Sequence, residues 1–288
     1  MGRRFLPARR DLAPPLGTWI AAVLQLGVNI GTLLACLTVY LMADQNPRWV
    51  FLVGVAPALL VFWIRRAVPE PREWREAKRR TTGAHPPVSA LFAPEVRIVT
   101  IKTVLVCSLT LTAWWAFLFW NQQHLRNLSE VAGWPAARIE QLVSRSFFIV
   151  IAASCVGNFV AGWLAHGLGY RRALALLCLG HFASFCGAYM VPREYASLIV
   201  WLAVIGFFSG IFALFTMYLP PLFPTLLRTT GAGFCYNIGR VVAALGTIFF
   251  GLFSRVGDFR LALLYAGFLL APAALLARQL PEVGAEGS

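Results

Sequence analysis

The sequence predicts an all-α integral membrane fold with eight transmembrane helices. The chain has 288 residues, of which 59% are hydrophobic and only 13% are charged, about half the charged share of an ordinary soluble domain. A soluble fold of this length cannot bury so much apolar surface, so a bilayer must cover part of it. The apolar residues form continuous runs and do not alternate at every second position, which favours helices over a barrel.

Eight apolar runs define the predicted membrane-spanning helices. A helix needs about 20 residues to cross about 30 Å of hydrocarbon, and the second and eighth runs reach that length with their flanking residues. The runs are Gly17–Ala43, Trp49–Ile64, Ile98–Trp120, Ser146–His166, Ala173–Val191, Ser197–Leu219, Gly231–Phe253 and Leu261–Ala277.

The positive charges predict the orientation of these helices. With a cytoplasmic N-terminus, 16 of the 25 Lys and Arg residues fall in inside segments and seven in outside segments. The inside segments of membrane proteins normally carry the excess of positive charge. We therefore expect a multi-pass protein of the inner cell membrane with both termini in the cytoplasm.

Several classes of function are excluded by the sequence. The net charge of +13 is spread over loops between apolar runs, unlike the basic face of a nucleic-acid-binding protein. All six cysteines lie in apolar runs without a CxxC pair, and no cysteine–histidine cluster has zinc spacing. The sequence also lacks hydrolase, metalloprotease and Walker motifs. We expect no enzyme activity, no metal, no cofactor, no nucleic-acid partner and no cleavable signal peptide.

A weak internal repeat predicts how the helices are grouped. Asn29–Ala35 resembles Asn237–Ala243, and each copy is followed by another apolar run and a proline–glutamate pair, Pro69-Glu70 or Pro281-Glu282. Four predicted spans separate the charged linker from the second copy. If the repeated unit has six spans, the second unit is complete, and the first unit contains only its last two spans. Four further helices are therefore expected before Met1.

The predicted domains follow from this repeat. Residues 1–64 form the last two helices of an N-terminal half, 65–97 a cytoplasmic central loop, 98–280 a six-helix C-terminal half, and 281–288 a cytoplasmic tail. Six plus six spans around a charged loop is the plan of a two-half transporter. The missing N-terminal helices or a second chain would then be needed for function, beside the lipid bilayer and a small-molecule solute as partners.

Four segments of the sequence carry family motifs: Gly162–Arg172, Tyr218–Thr225 with Arg228 and Gly231, Gly233–Arg240 and Val68–Pro71. They resemble the major facilitator superfamily, closest to its branch of sugar and metabolite proton symporters. In that family they correspond to the cytoplasmic loop motif, the link between the tenth and eleventh helices, the eleventh helix and the exit of the sixth helix. The resemblance implies a partial major-facilitator fold of helices five to twelve. It also implies transport of a small organic solute, an organic acid or a sugar, coupled to protons.

The cytoplasmic loop motif predicts a gate whose charges differ from those of the family. The candidate gate residues are Gly162, His166, Gly169, Arg171, Arg172 and Arg228. The family carries an acid at the position of His166 and a glutamate at the position of Pro221, and these acids pair with the loop arginines. Here Arg171 and Arg172 lack both of these acidic partners, which argues against the family's charge-based gate in this half.

Arg240 is the strongest candidate for a substrate-binding residue. It lies about ten residues into its span, near the bilayer centre, where a charged side chain needs a partner or a wet cavity. No Asp or Glu lies well inside any predicted span. The partner of Arg240 is therefore an anionic substrate, a carboxylate in the missing half, or helix-end carbonyl groups. Lys102, near the end of its span, is expected to reach the cytoplasmic surface.

Further amide and aromatic side chains complete the candidate substrate site. They are Asn237, Tyr236, Asn158, Asn29, Gln25 and Trp115. An amide inside a bilayer needs a hydrogen-bond partner, either the substrate or another helix, and the sequence leaves both open for Asn29, Asn158 and Asn237. Small residues repeat every four positions, as in Gly27/Gly31 and Gly239/Ala243, and these are interpreted as helix-packing surfaces.

The predicted function is a secondary active transporter that moves its solute by alternating access around a midplane site. The alternative is a truncated, non-transporting membrane fragment or a half that only binds. A membrane-embedded enzyme would need paired acids, a histidine cluster or a nucleophile beside a base, and the sequence contains none of these.

Overall fold

The computed structural model describes residues 16–41, 47–67, 86–254 and 258–282, and this part of the chain is all-helical. Short 3₁₀ turns at Val88–Phe92, Ser129–Val131, Pro220–Leu222 and Thr225–Leu227 join some of the helices. The α-helices of the described ranges are α1 Leu16–Leu41, α2 Pro47–Ala67, α3 Arg97–Arg126, α4 Ala136–Leu168, α5 Tyr170–Tyr189, α6 Tyr195–Phe208, α7 Ile211–Tyr218, α8 Arg228–Ser254, α9 Phe259–Phe268 and α10 Leu270–Ala277.

Six helical segments of the described residues are long and apolar enough to cross a membrane. They are Arg97–Arg126, Ala136–Leu168, Tyr170–Tyr189, Tyr195–Tyr218, Thr225–Leu252 and Phe259–Ala277, which coincide with the last six predicted spans. The prediction of an all-α membrane protein is confirmed. Helices α1 and α2 cover the first two predicted spans but are not among these six, so the count of eight and the partial fold stay predictions.

The outer surface of the described helices is apolar. Leu245, Ile248 and Leu275 are each 64% exposed, although aliphatic side chains of this size are usually buried in a soluble protein. Lipid tails, unlike water, carry no free-energy penalty for contact with such side chains. The described part of the chain therefore has the surface of a membrane-embedded bundle.

Two of the predicted spans are divided by short breaks. The amides of Ser209 and Gly210, between α6 and α7, donate to carbonyl groups three residues earlier, those of Gly206 and Phe207. The amide of Leu269, between α9 and α10, donates in the same way to Ala266. These bonds tighten the backbone locally into 3₁₀ geometry, which interrupts each helix without exposing its polar groups.

Small residues bring particular helices into close contact. Helix α3 packs along α8 and α4 packs along α6, while α1 packs on α4 and α7. A Cβ atom added to Gly239 would lie only 2.9 Å from the Cβ of Cys107 on α3, so this small-residue face is a packing surface. Gly27 and Gly31 on α1 have no described atom within 4 Å of such a Cβ.

The connection between α4 and α5 is a single glycine. Gly169 has a φ of 80°, in the left-handed region that a side chain disfavours. This conformation reverses the chain at the cytoplasmic end predicted for both helices. It also explains physically why the loop motif contains a glycine at this position.

Candidate functional site

An open cavity of about 520 Å³ lies between α3 and α8. The residues that line it from α8 lie four, seven and eight positions after Arg240, so they share one face of that helix. Trp115 and Phe119 are likewise one turn apart on α3. The full lining is Trp115, Phe119, Trp120, Arg240, Ala244, Thr247 and Ile248.

The packing of α8 on α3 places Arg240 at the edge of this cavity. Gly239 and Ala243 are buried on the face of α8 that meets α3. Arg240 follows Gly239 directly, and its side chain is exposed. The close approach of the two backbones therefore sets the position of the arginine relative to the α3 aromatic residues.

Arg240 is a cation in a wall that is otherwise aromatic and aliphatic, apart from the hydroxyl of Thr247. Within the described ranges, its guanidinium has no hydrogen bond and no ion pair. In these ranges, no helix-end carbonyl group accepts a hydrogen bond from Arg240, although such groups were among its expected partners. A planar guanidinium in this position can hold a carboxylate through two parallel hydrogen bonds.

The tryptophans around the cavity differ in how firmly they are held. The indole Nε1 of Trp120 donates to the backbone carbonyl of Thr247 at 2.9 Å, and its ring stacks on Phe259 at 5.9 Å between centroids. Trp115 is 43% exposed and lines the opening. Its neighbour Trp114 packs into the bundle against Phe117 and Phe212, each at 5.6 Å. The contacts of Trp120 therefore fix its ring in the cavity lining. The ring of Trp115 is accessible from the cavity, and Trp114 is part of the core.

Most of the other predicted substrate residues do not line this cavity. The ring of Tyr236 faces Phe215 on α7 at 6.5 Å. Asn237 is exposed, and its amide donates to the carbonyl of Gly233 in its own helix at 2.8 Å. Gln25 is half-buried on α1. A direct role of these three residues in substrate contact stays a prediction.

The two buried asparagines have different environments. Asn29, 6% exposed, donates from Nδ2 to the hydroxyl of Ser154 on α4 at 3.2 Å. This is the interhelical hydrogen bond, one of the two alternatives that the sequence left open. Asn158 is 1% exposed, and neither its Oδ1 nor its Nδ2 has a partner in the described part of the chain.

Arg171 pairs with an acid that lies outside the two positions used by the family. Its Nε lies 3.3 Å from Oε2 of Glu282, which follows the last helix. The segment after α10 reaches this position because the Tyr218 hydroxyl donates to the carbonyl of Pro281, and the Lys102 ammonium lies 3.5 Å from the carbonyl of Gln279. Both charged groups are more than one-third exposed, so solvent screens the pair and its effect on stability is small.

The remaining residues of the predicted gate differ in their exposure to solvent. Gly162 is buried, whereas His166 and Arg172 are exposed. Arg228 begins α8, is half-buried, and has no partner for Nε within the described residues. Their role as a gate stays a prediction.

Membrane-crossing helices with a cationic, aromatic cavity between two of them form the kind of site that binds a small solute. No protein-family model matches the chain. Among curated proteins, it is 28% identical to one of Cupriavidus pinatubonensis named "Probable 4-methylmuconolactone transporter", over 80% of this chain and 53% of that protein. It is 25% identical to the cis,cis-muconate transport protein of Acinetobacter baylyi, over 87% of this chain and 60% of the relative.

A third relative is a sialic acid transporter of Escherichia coli, 27% identical over 76% of this chain and 52% of its own length. The chain spans about half the length of the curated relatives it matches. All three are named as transporters, and transporters are not enzymes. They confirm the resemblance to metabolite transporters of the major facilitator type, and they support a multi-pass membrane protein related to secondary transporters.

Proposed function

We propose that the protein is a secondary transporter of small organic carboxylates that binds its substrate at the Arg240 cavity. The observation that carries the proposal is an exposed guanidinium in an aromatic wall, without an ion-pair partner in the described ranges. The guanidinium supplies two parallel hydrogen-bond donors for a carboxylate. The accessible ring of Trp115 and the ring of Phe119 supply flat apolar surface for the rest of the substrate.

The relatives favour an acid over a neutral sugar as the substrate. The muconate, sialic acid and 3-(3-hydroxy-phenyl)propionate transporters are named for solutes that carry a carboxylate but otherwise differ. A carboxylate needs a counter-charge, and Arg240 is the residue of the cavity lining that can provide one in this chain. We further propose that the two halves of the whole protein move by alternating access and that transport is coupled to protons.

Uptake into cells tests this function. Cells that express the full-length protein should accumulate labelled cis,cis-muconate above cells with an empty vector, and a neutral hexose should not be accumulated. A protonophore should abolish the accumulation if protons drive it. Binding of muconate by the purified protein without uptake would instead support the alternative of a half that only binds.

We also propose that the protein lies in the inner membrane with both termini in the cytoplasm. The excess of Lys and Arg in the inside segments supports this orientation. A reporter active only in the cytoplasm should be active when fused after Gly83 and inactive when fused after Asn127. Activity only at Asn127 would reverse the orientation, since the loop around Gly83 carries much of the positive charge.

A further inference from the structure

Asn158 is a buried amide whose polar atoms are unpaired in the described part of the chain. It lies ten residues before the end of α4, is 1% exposed, and neither Oδ1 nor Nδ2 has a hydrogen-bond partner there. Such a group loses its hydration on burial and gains nothing in return, which is unfavourable in any apolar environment. An unpaired amide at this depth therefore raises the free energy of the conformation described here.

Paired polar side chains lie one helical turn from Asn158. The hydroxyls of Ser154 on α4 and Ser209, at the break between α6 and α7, are 2.8 Å apart. Asn29 of α1 donates to the same Ser154 hydroxyl at 3.2 Å. Three helices thus meet at Ser154 through satisfied hydrogen bonds, and Asn158 on the same face of α4 is excluded from this network.

The backbone of α4 is in direct contact with the break between α6 and α7. A Cβ atom on Gly157 would overlap the carbonyl oxygen of Phe207. One on Gly210 would overlap the carbonyl oxygen of Gly157 and lie 3.0 Å from the backbone nitrogen of Asn158. No side chain separates the two backbones at this point. The break thus lies against the α4 backbone at Asn158, and it also contacts Ser154 on the face of α4 that carries the Asn158 side chain.

We propose that Asn158 is a positioning residue of the transport cycle, whose amide is unpaired in this conformation and is paired with the α6–α7 break in the opposite one. This inference rests on the proposed function, since it needs two conformations that exchange during transport. An interaction made in only one of two conformations shifts the equilibrium towards that conformation. Asn158 would thus destabilise the described conformation relative to the other and speed the exchange between them.

Replacing the amide by an apolar side chain of similar size tests this role. In Asn158→Leu, the maximal rate of muconate uptake should fall on the order of tenfold, while the half-saturating concentration stays unchanged. The melting temperature of the purified variant should be equal to or higher than that of the wild type. Asn158→Ser, which keeps a donor and an acceptor, should recover part of the rate.

The control is Gln141→Leu, the same kind of change at an exposed position of α4, which should leave rate and melting temperature unchanged. An unchanged rate in Asn158→Leu would overturn the proposal and leave only a buried amide without function. A raised half-saturating concentration would make Asn158 a substrate ligand, and a lowered melting temperature would make it a structural residue. Lack of uptake by the wild type would refute the proposed function itself. The comparison of melting temperatures needs no transport, and it tests separately whether the Asn158 amide is unpaired in the described conformation.

Discussion

Arg240→Gln is expected to abolish carboxylate uptake while membrane insertion and protein amount stay near those of the wild type. An arginine inside a membrane span is unfavourable for insertion by about 2.5–3.5 kcal/mol, so the fold should tolerate its loss. The substrate, in contrast, loses the counter-charge of its carboxylate. Two charge-assisted hydrogen bonds, each contributing about 1.5–3 kcal/mol, correspond to a loss of uptake efficiency on the order of 100-fold or more.

Two further variants make the Arg240 experiment specific. Arg240→Lys should restore uptake only partly, because an ammonium keeps the charge but not the two parallel donors of a guanidinium. Lys102→Gln serves as a matched loss of positive charge, and its effect should be mild since that ammonium contacts the carbonyl of Gln279 outside the cavity. Full uptake by Arg240→Gln would mean that the cavity between α3 and α8 is not the substrate site.

Gly157→Ala, which adds a single methyl group in α4, is expected to destabilise the protein. The new Cβ would overlap the carbonyl oxygen of Phe207, a backbone atom that cannot rotate away, so α4 and α6 must separate. Overpacking of this kind usually lowers stability by about 1–3 kcal/mol. The measurement is the melting temperature of the purified protein in detergent, together with the amount of folded protein recovered.

The matched control is Gly31→Ala on α1, where no described atom lies within 4 Å of the added Cβ. Alanine is preferred over glycine inside a helix by about 0.5–1 kcal/mol, so this variant should melt at the same temperature as the wild type or slightly higher. Equal melting of Gly157→Ala and Gly31→Ala would show that α4 and the α6–α7 break do not touch.

The candidate site was only partly predictable from the sequence. Arg240 was found because a charged residue in an apolar run needs a partner, which is a local signal. Phe119 and Thr247 were missed as site residues, although the spacing of Thr247 from Arg240 places it on the same face of α8. Their role depends on the pairing of α8 with α3, and no feature of one helix reveals which other helix it contacts.

The acidic partner of Arg171 was missed for a related reason. The family's acidic partners lie at the positions of His166 and Pro221, and neither carries an acid here. Glu282 was noticed only as the end of a repeated segment. It reaches Arg171 through the path of the chain after α10, which composition and spacing near the arginine cannot indicate.

The sequence by itself determined that this protein lies in a membrane and that its segments are helical. Hydrophobic composition and long apolar runs required a membrane and helices, because both depend on the properties of neighbouring residues along the chain. The tertiary structure alone decided that Phe119 and Thr247 line the cavity beside Arg240. It also decided which buried asparagine, Asn29 or Asn158, is hydrogen-bonded. These outcomes depend on the rotation and pairing of helices, which are set by contacts between residues far apart in the sequence.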